Sequence, residues 1–135
     1  MRRLLKSSLV HVAFGFLLMG GWALFANRAH GWQGAWLPAL VQGTISGGLT
    51  GALKETLETY DRRAAKRDPV LAGPLAYVFP PLITASSILA LLIIAHSTIG
   101  TPELAATIAF PWSVSTLYAI VYNAGLVRAR RRSAA

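Results

Sequence analysis

The chain has 135 residues, of which 54% are hydrophobic and only 13% are charged. It is far more apolar than an ordinary soluble domain and too short for two domains, so we expect one integral membrane unit. The lack of cysteine excludes disulfides and cysteine metal sites, and the net charge of +8 lies in short blocks that suit an anionic membrane surface better than nucleic acid.

The first predicted helix covers about residues 8–26, an uncharged run that spans about 28 Å at 1.5 Å per residue and so matches the hydrocarbon core of a bilayer. Arg2, Arg3 and Lys6 precede it, as in a signal peptide. Its length exceeds that of a typical signal-peptide core, so we expect it to remain as a membrane anchor.

The second predicted helix covers about residues 33–53. Lys54, Glu58 and Arg62 follow it at helical i,i+4 spacing, which favours continued helix. We therefore expect a cytoplasmic extension to about residue 67, ended by Pro69.

The last two predicted helices cover about residues 75–95 and 103–126. The Pro80/Pro81 pair is expected to bend the third helix, and Pro111 the fourth. Thr101 stands where a capping hydroxyl would begin the fourth helix. The predicted fold is thus an all-α membrane protein with four transmembrane helices in a single domain.

The basic residues predict the orientation. Twelve of the thirteen Lys and Arg residues lie before the first helix, after the second or at the end of the fourth, and only Arg28 lies on the other side. The positive-inside rule then places both termini in the cytoplasm of a bacterial inner membrane. Trp22, Trp32, Trp36 and Trp112 are predicted near the outer ends of their helices, where an indole N–H stays in contact with water.

Three glycines of the second helix, Gly43, Gly47 and Gly51, repeat at four-residue spacing. Such overlapping small-xxx-small motifs let two helices approach closely in lipid. Packing between subunits and packing inside one bundle are both consistent with the pattern.

Polar side chains also recur along the apolar helices, and we consider them a possible polar pathway. They are Gln42, Ser46, Thr50 and Lys54 on the second helix, and Ser113 and Asn123 on the fourth. The alternative, favoured for most of the hydroxyls, is that they bond to their own helix or to a neighbouring one.

The cytoplasmic ends carry a cationic rim that suits anionic lipid headgroups. Its candidate contacts are Lys54, Arg62, Arg63, Arg128 and Arg130. The simpler alternative is that these charges only orient the chain.

Catalytic chemistry has no visible centre in the sequence. No Asp or Glu lies deep in a predicted helix, which counts against ion-coupled transport. His11, His30 and His96 form no cluster with metal-ligand spacing. We therefore predict no enzyme activity, no metal site and no cofactor.

These features favour a small oligomeric transporter or flippase-type protein that handles a lipid or amphipathic substrate. One alternative is a non-transporting accessory subunit that assembles with a larger membrane protein. Another is a holin-like pore former, which the length and the basic tail also fit. The expected partners are membrane lipids and either further copies of the chain or a larger membrane protein.

Overall fold

The computed structural model describes the backbone of residues 2–67 and 74–133 and the side chains of residues 9–63 and 74–133. The described residues are helical and contain no strand, which confirms the predicted all-α class. Pro69, the expected end of the second helix, lies outside the described residues. The four helices are α1 (Arg2–Ala26), α2 (Gly31–Arg67), α3 (Phe79–Thr98) and α4 (Leu104–Ser133), with short 3-10 turns at Arg28–His30 and Pro74–Tyr77.

Three segments of the described chain are long and apolar enough to cross a membrane: Leu9–Ala26, Pro74–Thr98 and Leu104–Ser133. On α1, Leu9, Phe14 and Leu17 are 68%, 66% and 69% exposed, which suits a lipid solvent and not water. α2 is less apolar because glycines, hydroxyls and a glutamine interrupt its hydrophobic residues.

The start of α3 differs from the sequence prediction. α3 begins at Phe79, not near residue 75, and the Pro80/Pro81 pair lies in its first turn, not in its interior. Proline is suited to a first turn because its fixed φ is helical and the amide hydrogen it lacks would have no partner there. The expected bend within the third helix is thus replaced by a helix start.

α4 starts within one residue of the prediction, but the role of Thr101 and the end of the helix differ. Thr101, the expected cap, hydrogen-bonds through Oγ1 to Nδ1 of His96 instead, at 2.9 Å. The helix continues to Ser133, beyond the predicted end near residue 126. Arginines in its last turns suit the negative end of the helix dipole, and Arg130 Nε lies 3.5 Å from Asp61 Oδ1 of α2.

The turns at residues 27–31 and 99–103 lie at the same end of the bundle. Gly31 and Gly100 have φ values of 68° and 66°, a left-handed conformation that glycine adopts without strain. Because the two turns contact each other, the four helices alternate in direction. α2 contacts α1, α3 and α4, and α4 likewise contacts the three other helices.

Close packing of α1 on α2 depends on glycine. A Cβ atom added to Gly20 would lie 2.9 Å from the carbonyl oxygen of Ala39, and one added to Gly43 would lie 2.9 Å from that of Phe16. α2 meets α3 and α4 through an apolar cluster of Leu53, Ile88, Leu92 and Ile108. The first contact is thus backbone against backbone, and the second is side chain against side chain.

We expect Gly43→Ala to destabilise the fold by about 1–3 kcal/mol, because its methyl group would force α1 away from α2. Gly48→Ala is the matched control on the same helix, since a Cβ atom there meets nothing within 4 Å. The control should be neutral or stabilising by about 0.5–1 kcal/mol. Circular dichroism during SDS titration of the purified protein in detergent measures both effects, and equal stability of the two variants would contradict the α1–α2 contact.

Candidate functional site

Asn27 links the first hairpin, α1 and α2, to the second hairpin, α3 and α4, at the end that contains the turns 27–31 and 99–103. Its side chain is fully buried, and its Nδ2 donates to Ala23 O at 2.9 Å and to Thr107 Oγ1 at 2.8 Å. Its Oδ1 accepts the amide hydrogen of Glu103 at 2.9 Å. Asn27 therefore serves the start of α4 as a cap supplied by another hairpin. Beside it, His30 Nε2 and Glu103 Oε1 lie 2.9 Å apart at the exposed surface.

A second buried network joins α2, α3 and the turn that precedes α4. Gln42 and His96 are fully buried, with Gln42 Oε1 2.9 Å from His96 Nε2 and Gln42 Nε2 2.9 Å from Ser46 Oγ. In this arrangement His96 Nε2 carries the hydrogen, and Nδ1 accepts from the hydroxyl of Thr101. Every polar atom of both buried side chains therefore has a partner that this bundle supplies.

Asn123 links α4 to the turn that precedes α3. Ala76 and Tyr77 belong to the 3-10 turn before α3, so their carbonyl groups lie outside the hydrogen-bond ladder of that helix, whose first bond joins Leu82 N to Val78 O. Asn123 Nδ2 lies 2.8 Å from Ala76 O and 3.4 Å from Tyr77 O. The buried amide thus satisfies carbonyl groups that would otherwise be unpaired in an apolar setting.

Two tryptophans expected to keep their indole N–H in water instead bond to neighbouring helices. Trp22 Nε1 of α1 donates to Ala106 O of α4 at 2.9 Å, and Trp112 Nε1 of α4 donates to Ala85 O of α3 at 2.9 Å. These indoles are therefore helix-to-helix contacts.

Charged groups link α2 and α4 at the opposite end. Glu58 accepts a 2.7 Å hydrogen bond from the hydroxyl of Tyr122 and lies 3.9 Å from Lys54 Nζ and 3.6 Å from Arg62 Nη1. Two of the predicted headgroup contacts, Lys54 and Arg62, therefore have a carboxylate partner. A third, Arg130, is within 4 Å of Asp61, while the side chains of Arg63 and Arg128 are exposed.

The six residues considered as a polar pathway are not brought together. Gln42 and Ser46 belong to the His96 network, and Asn123 bonds to the turn that precedes α3. Thr50 and Ser113 donate to carbonyl groups of their own helices at 2.9 and 2.8 Å. These contacts correspond to the alternative in which the polar groups bond within the bundle.

The three glycines of the predicted packing face have different surroundings: two pack against α1, and the third faces open space. Gly43 and Gly47 lie against α1, where a Cβ atom on Gly47 would be 3.3 Å from Val12. Gly51 has no atom within 4 Å of such a Cβ position, and neither has Gly48. Packing within one chain therefore accounts for Gly43 and Gly47, whereas Gly48 and Gly51 stay accessible.

The structure also reveals a groove that the sequence interpretation missed. It lies between α2 and α3 in the half of the bundle that contains the basic ends, and its volume is about 190 Å³. Its apolar walls carry several hydroxyl groups. The lining residues are Leu49, Ala52, Leu53, Thr56, Tyr60, Ile83, Thr84, Ser87, Ile88 and Leu91.

The groove continues into a shallow pocket at the charged part of α2. The pocket has a volume of about 280 Å³ and shares Ala52, Thr56 and Tyr60 with the groove. Its other lining residues are Glu55, Thr59 and Arg63. We call the combined feature the α2–α3 groove. Ala52, Thr56 and Tyr60 stand at i,i+4 spacing in the sequence, a signal that could have indicated a shared helix face.

Comparisons of the chain with protein-family models, with curated proteins and with solved structures found no match. Function is therefore inferred from the networks and the groove themselves.

We expect Gln42→Met to lower the stability of the bundle by about 1–3 kcal/mol, because it leaves the buried Nε2–H of His96 without an acceptor. Thr44→Val is the matched control, since the exposed Thr44 hydroxyl bonds only to Leu40 O of its own helix. Its effect should stay within about 0.5 kcal/mol. Both substitutions nearly preserve side-chain volume, so SDS unfolding in detergent isolates the hydrogen bond. An unchanged midpoint for Gln42→Met would rule out the buried network.

Proposed function

We propose that the chain crosses a bacterial inner membrane four times, with both termini in the cytoplasm. The alternating helices put the starts of α1 and α3 and the ends of α2 and α4 at one end of the bundle. Twelve of the thirteen Lys and Arg residues belong to that end. The positive-inside rule supports a cytoplasmic location for it.

α2 serves as the fourth span in this topology. It carries no charged residue from Gly31 to Leu53, a length of about 33 Å at 1.5 Å per residue. Its contacts with all three other helices support this assignment, because they replace part of its contact with lipid. A helix with such contacts can be less apolar than one that faces lipid on most sides.

Within this topology, we propose a transport-type protein of the flippase class that binds a lipid or amphipathic molecule. The α2–α3 groove is the observation that carries the proposal. Its apolar walls would lie at hydrocarbon depth, and its pocket continues to Glu55 and Arg63 beyond the last uncharged turn of α2. A molecule with an apolar tail and a polar head matches this change of polarity along the groove.

The two halves of the bundle support different roles in such a cycle. The groove occupies the cytoplasmic half, whereas the buried networks around Asn27 and His96 join the helices in the outer half. A substrate would therefore enter from the cytoplasmic leaflet. Release on the outer side would require the outer networks to separate.

An accessory subunit is the second candidate function. The exposed face of α2 that contains Thr44, Gly48 and Gly51 favours it, because its small residues leave room for a helix of another chain. The same face would serve a homo-oligomer of the transporter. Activity of the isolated chain separates the two functions.

Single cysteines test the topology, because the chain contains no cysteine of its own. Ala29→Cys lies in the outer turn, and Ala129→Cys lies near the end of α4; both positions are exposed. A membrane-impermeant maleimide added to intact cells should label Ala29→Cys and not Ala129→Cys. Both should react after the cells are opened. Labelling of Ala129→Cys in intact cells would reverse the proposed orientation.

Ala52→Leu tests the groove, since Ala52 lines both of its parts and a larger side chain would fill their junction. The matched control is Ala109→Leu on an exposed face of α4. The wild-type protein, reconstituted in vesicles, should accelerate exchange of a fluorescent phospholipid between leaflets, measured with an impermeant quencher. Ala52→Leu should slow this exchange by about tenfold, which corresponds to ~1.4 kcal/mol, and the control should not.

Two results would count against the transport proposal. If the reconstituted wild-type protein leaves the exchange rate of empty vesicles unchanged and is recovered only with another membrane protein, the accessory function replaces it. If both alanine variants exchange lipid at the wild-type rate, the α2–α3 groove is not the pathway.

A further inference from the structure

We propose that the pocket of the α2–α3 groove selects a phospholipid whose headgroup carries both a phosphate and a protonated primary amine, as phosphatidylethanolamine does. This inference rests on the proposed function and specifies its substrate class. It depends on two side chains of opposite charge, Glu55 and Arg63, that line one pocket.

Glu55 and Arg63 of this pocket have no ion-pair partner among the described side chains. Within residues 9–63 and 74–133, three acidic side chains have a basic group within 4 Å. They are Glu58 with Lys54 and Arg62, Asp61 with Arg130, and Glu103 with His30. In the same part of the chain, Glu55 has no such partner, and Arg63 has no carboxylate within this distance. The two charges of the pocket are therefore available to a ligand.

The two charged side chains are separated along the axis of α2. Glu55 and Arg63 are eight residues apart on α2, which corresponds to about 12 Å along the helix axis at 1.5 Å per residue. Both side chains are long enough to reach part of the way toward each other. The space between them is lined by Thr56, Thr59 and Tyr60, whose hydroxyl groups can donate to oxygen atoms of a headgroup.

The two charges match the phosphate and the amine of the proposed headgroup. A guanidinium group binds phosphate through paired hydrogen bonds, and a carboxylate is an acceptor for an ammonium group. A headgroup that lies along α2 with its phosphate toward Arg63 and its amine toward Glu55 would satisfy both charges. An anionic headgroup without an amine, such as phosphatidylglycerol, would leave the Glu55 carboxylate beside further negative charge.

The pocket would lie at headgroup depth in the membrane. Lys54 is the first charged residue after the uncharged part of α2, so the pocket begins where the hydrocarbon core ends. The groove that shares Ala52, Thr56 and Tyr60 with the pocket continues toward Leu91 at hydrocarbon depth. Headgroup and acyl chain of one lipid in the cytoplasmic leaflet would therefore occupy the two parts together.

Native mass spectrometry of the full chain in detergent tests the selection. The protein is titrated with phosphatidylethanolamine and with phosphatidylglycerol of the same acyl chains. We expect the wild type to bind the first lipid about threefold to tenfold more tightly, the range of one or two partly exposed charge contacts. Glu55→Gln should abolish this preference by weakening binding of phosphatidylethanolamine alone, and Arg63→Gln should weaken binding of both lipids.

Glu103→Gln and Arg28→Gln are the matched controls, because these side chains are exposed but do not line the groove. Both should retain the preference of the wild type. Equal binding of the two lipids, or an unchanged preference in Glu55→Gln, would overturn the headgroup inference.

The two proposals can fail separately. If Ala52→Leu reduces binding of both lipids while the wild type does not distinguish them, the groove is a lipid site but the headgroup inference is wrong. If Ala52→Leu changes the binding of neither lipid, the lipid is not held in the α2–α3 groove, and both proposals fail.

Discussion

Polar groups that leave water on insertion into a membrane must find partners inside the protein, and this constraint organises the whole bundle. Three buried amide side chains meet it by reaching to other elements. Asn27 bonds to the start of α4, Gln42 to His96 of α3, and Asn123 to carbonyl groups of the turn before α3. The same bonds that satisfy these groups also determine how the two hairpins fit together.

The contacts differ along the length of the bundle. The Asn27 and His96 networks join the helices near the turns 27–31 and 99–103, while the glycine contacts between α1 and α2 extend from Gly20 to Gly47. In the half that contains the basic ends, Glu58 and Asp61 link α2 to α4, and a groove lies between α2 and α3. The position of this groove in one half makes the bundle asymmetric. That asymmetry supports the proposal of a ligand that enters from one leaflet.

Composition and hydropathy were sufficient to predict the all-helical class, since long uncharged runs specify helices in lipid. The ends of α3 and α4 were predicted less well, because they depend on residues distant in sequence. Thr101 looked like a local cap, but His96 takes its hydroxyl, while Asn27 accepts the amide hydrogen of Glu103 from 76 residues away. No local pattern contains that information.

The candidate site was predictable only in its individual residues. The spacing of Gly43, Gly47 and Gly51 indicated close packing, but it could not specify that α1 would cover the first two and leave the third open. The basic rim was visible as a charge cluster, whereas side-chain geometry decides that Arg62 pairs with Glu58 and that Arg63 has no carboxylate partner among the described side chains. The groove depends on which residues of α3 lie beside α2, so it required the assembled bundle.

The cap that Asn27 provides for α4 has a consequence for biosynthesis. The ribosome makes the Asn27 turn about eighty residues before it makes Thr107, so the first hairpin can already be in the bilayer when the second emerges. The acceptor for the amide hydrogen of Glu103 is then a side chain of the first hairpin, which has already been synthesised. The second hairpin can therefore fold against the first.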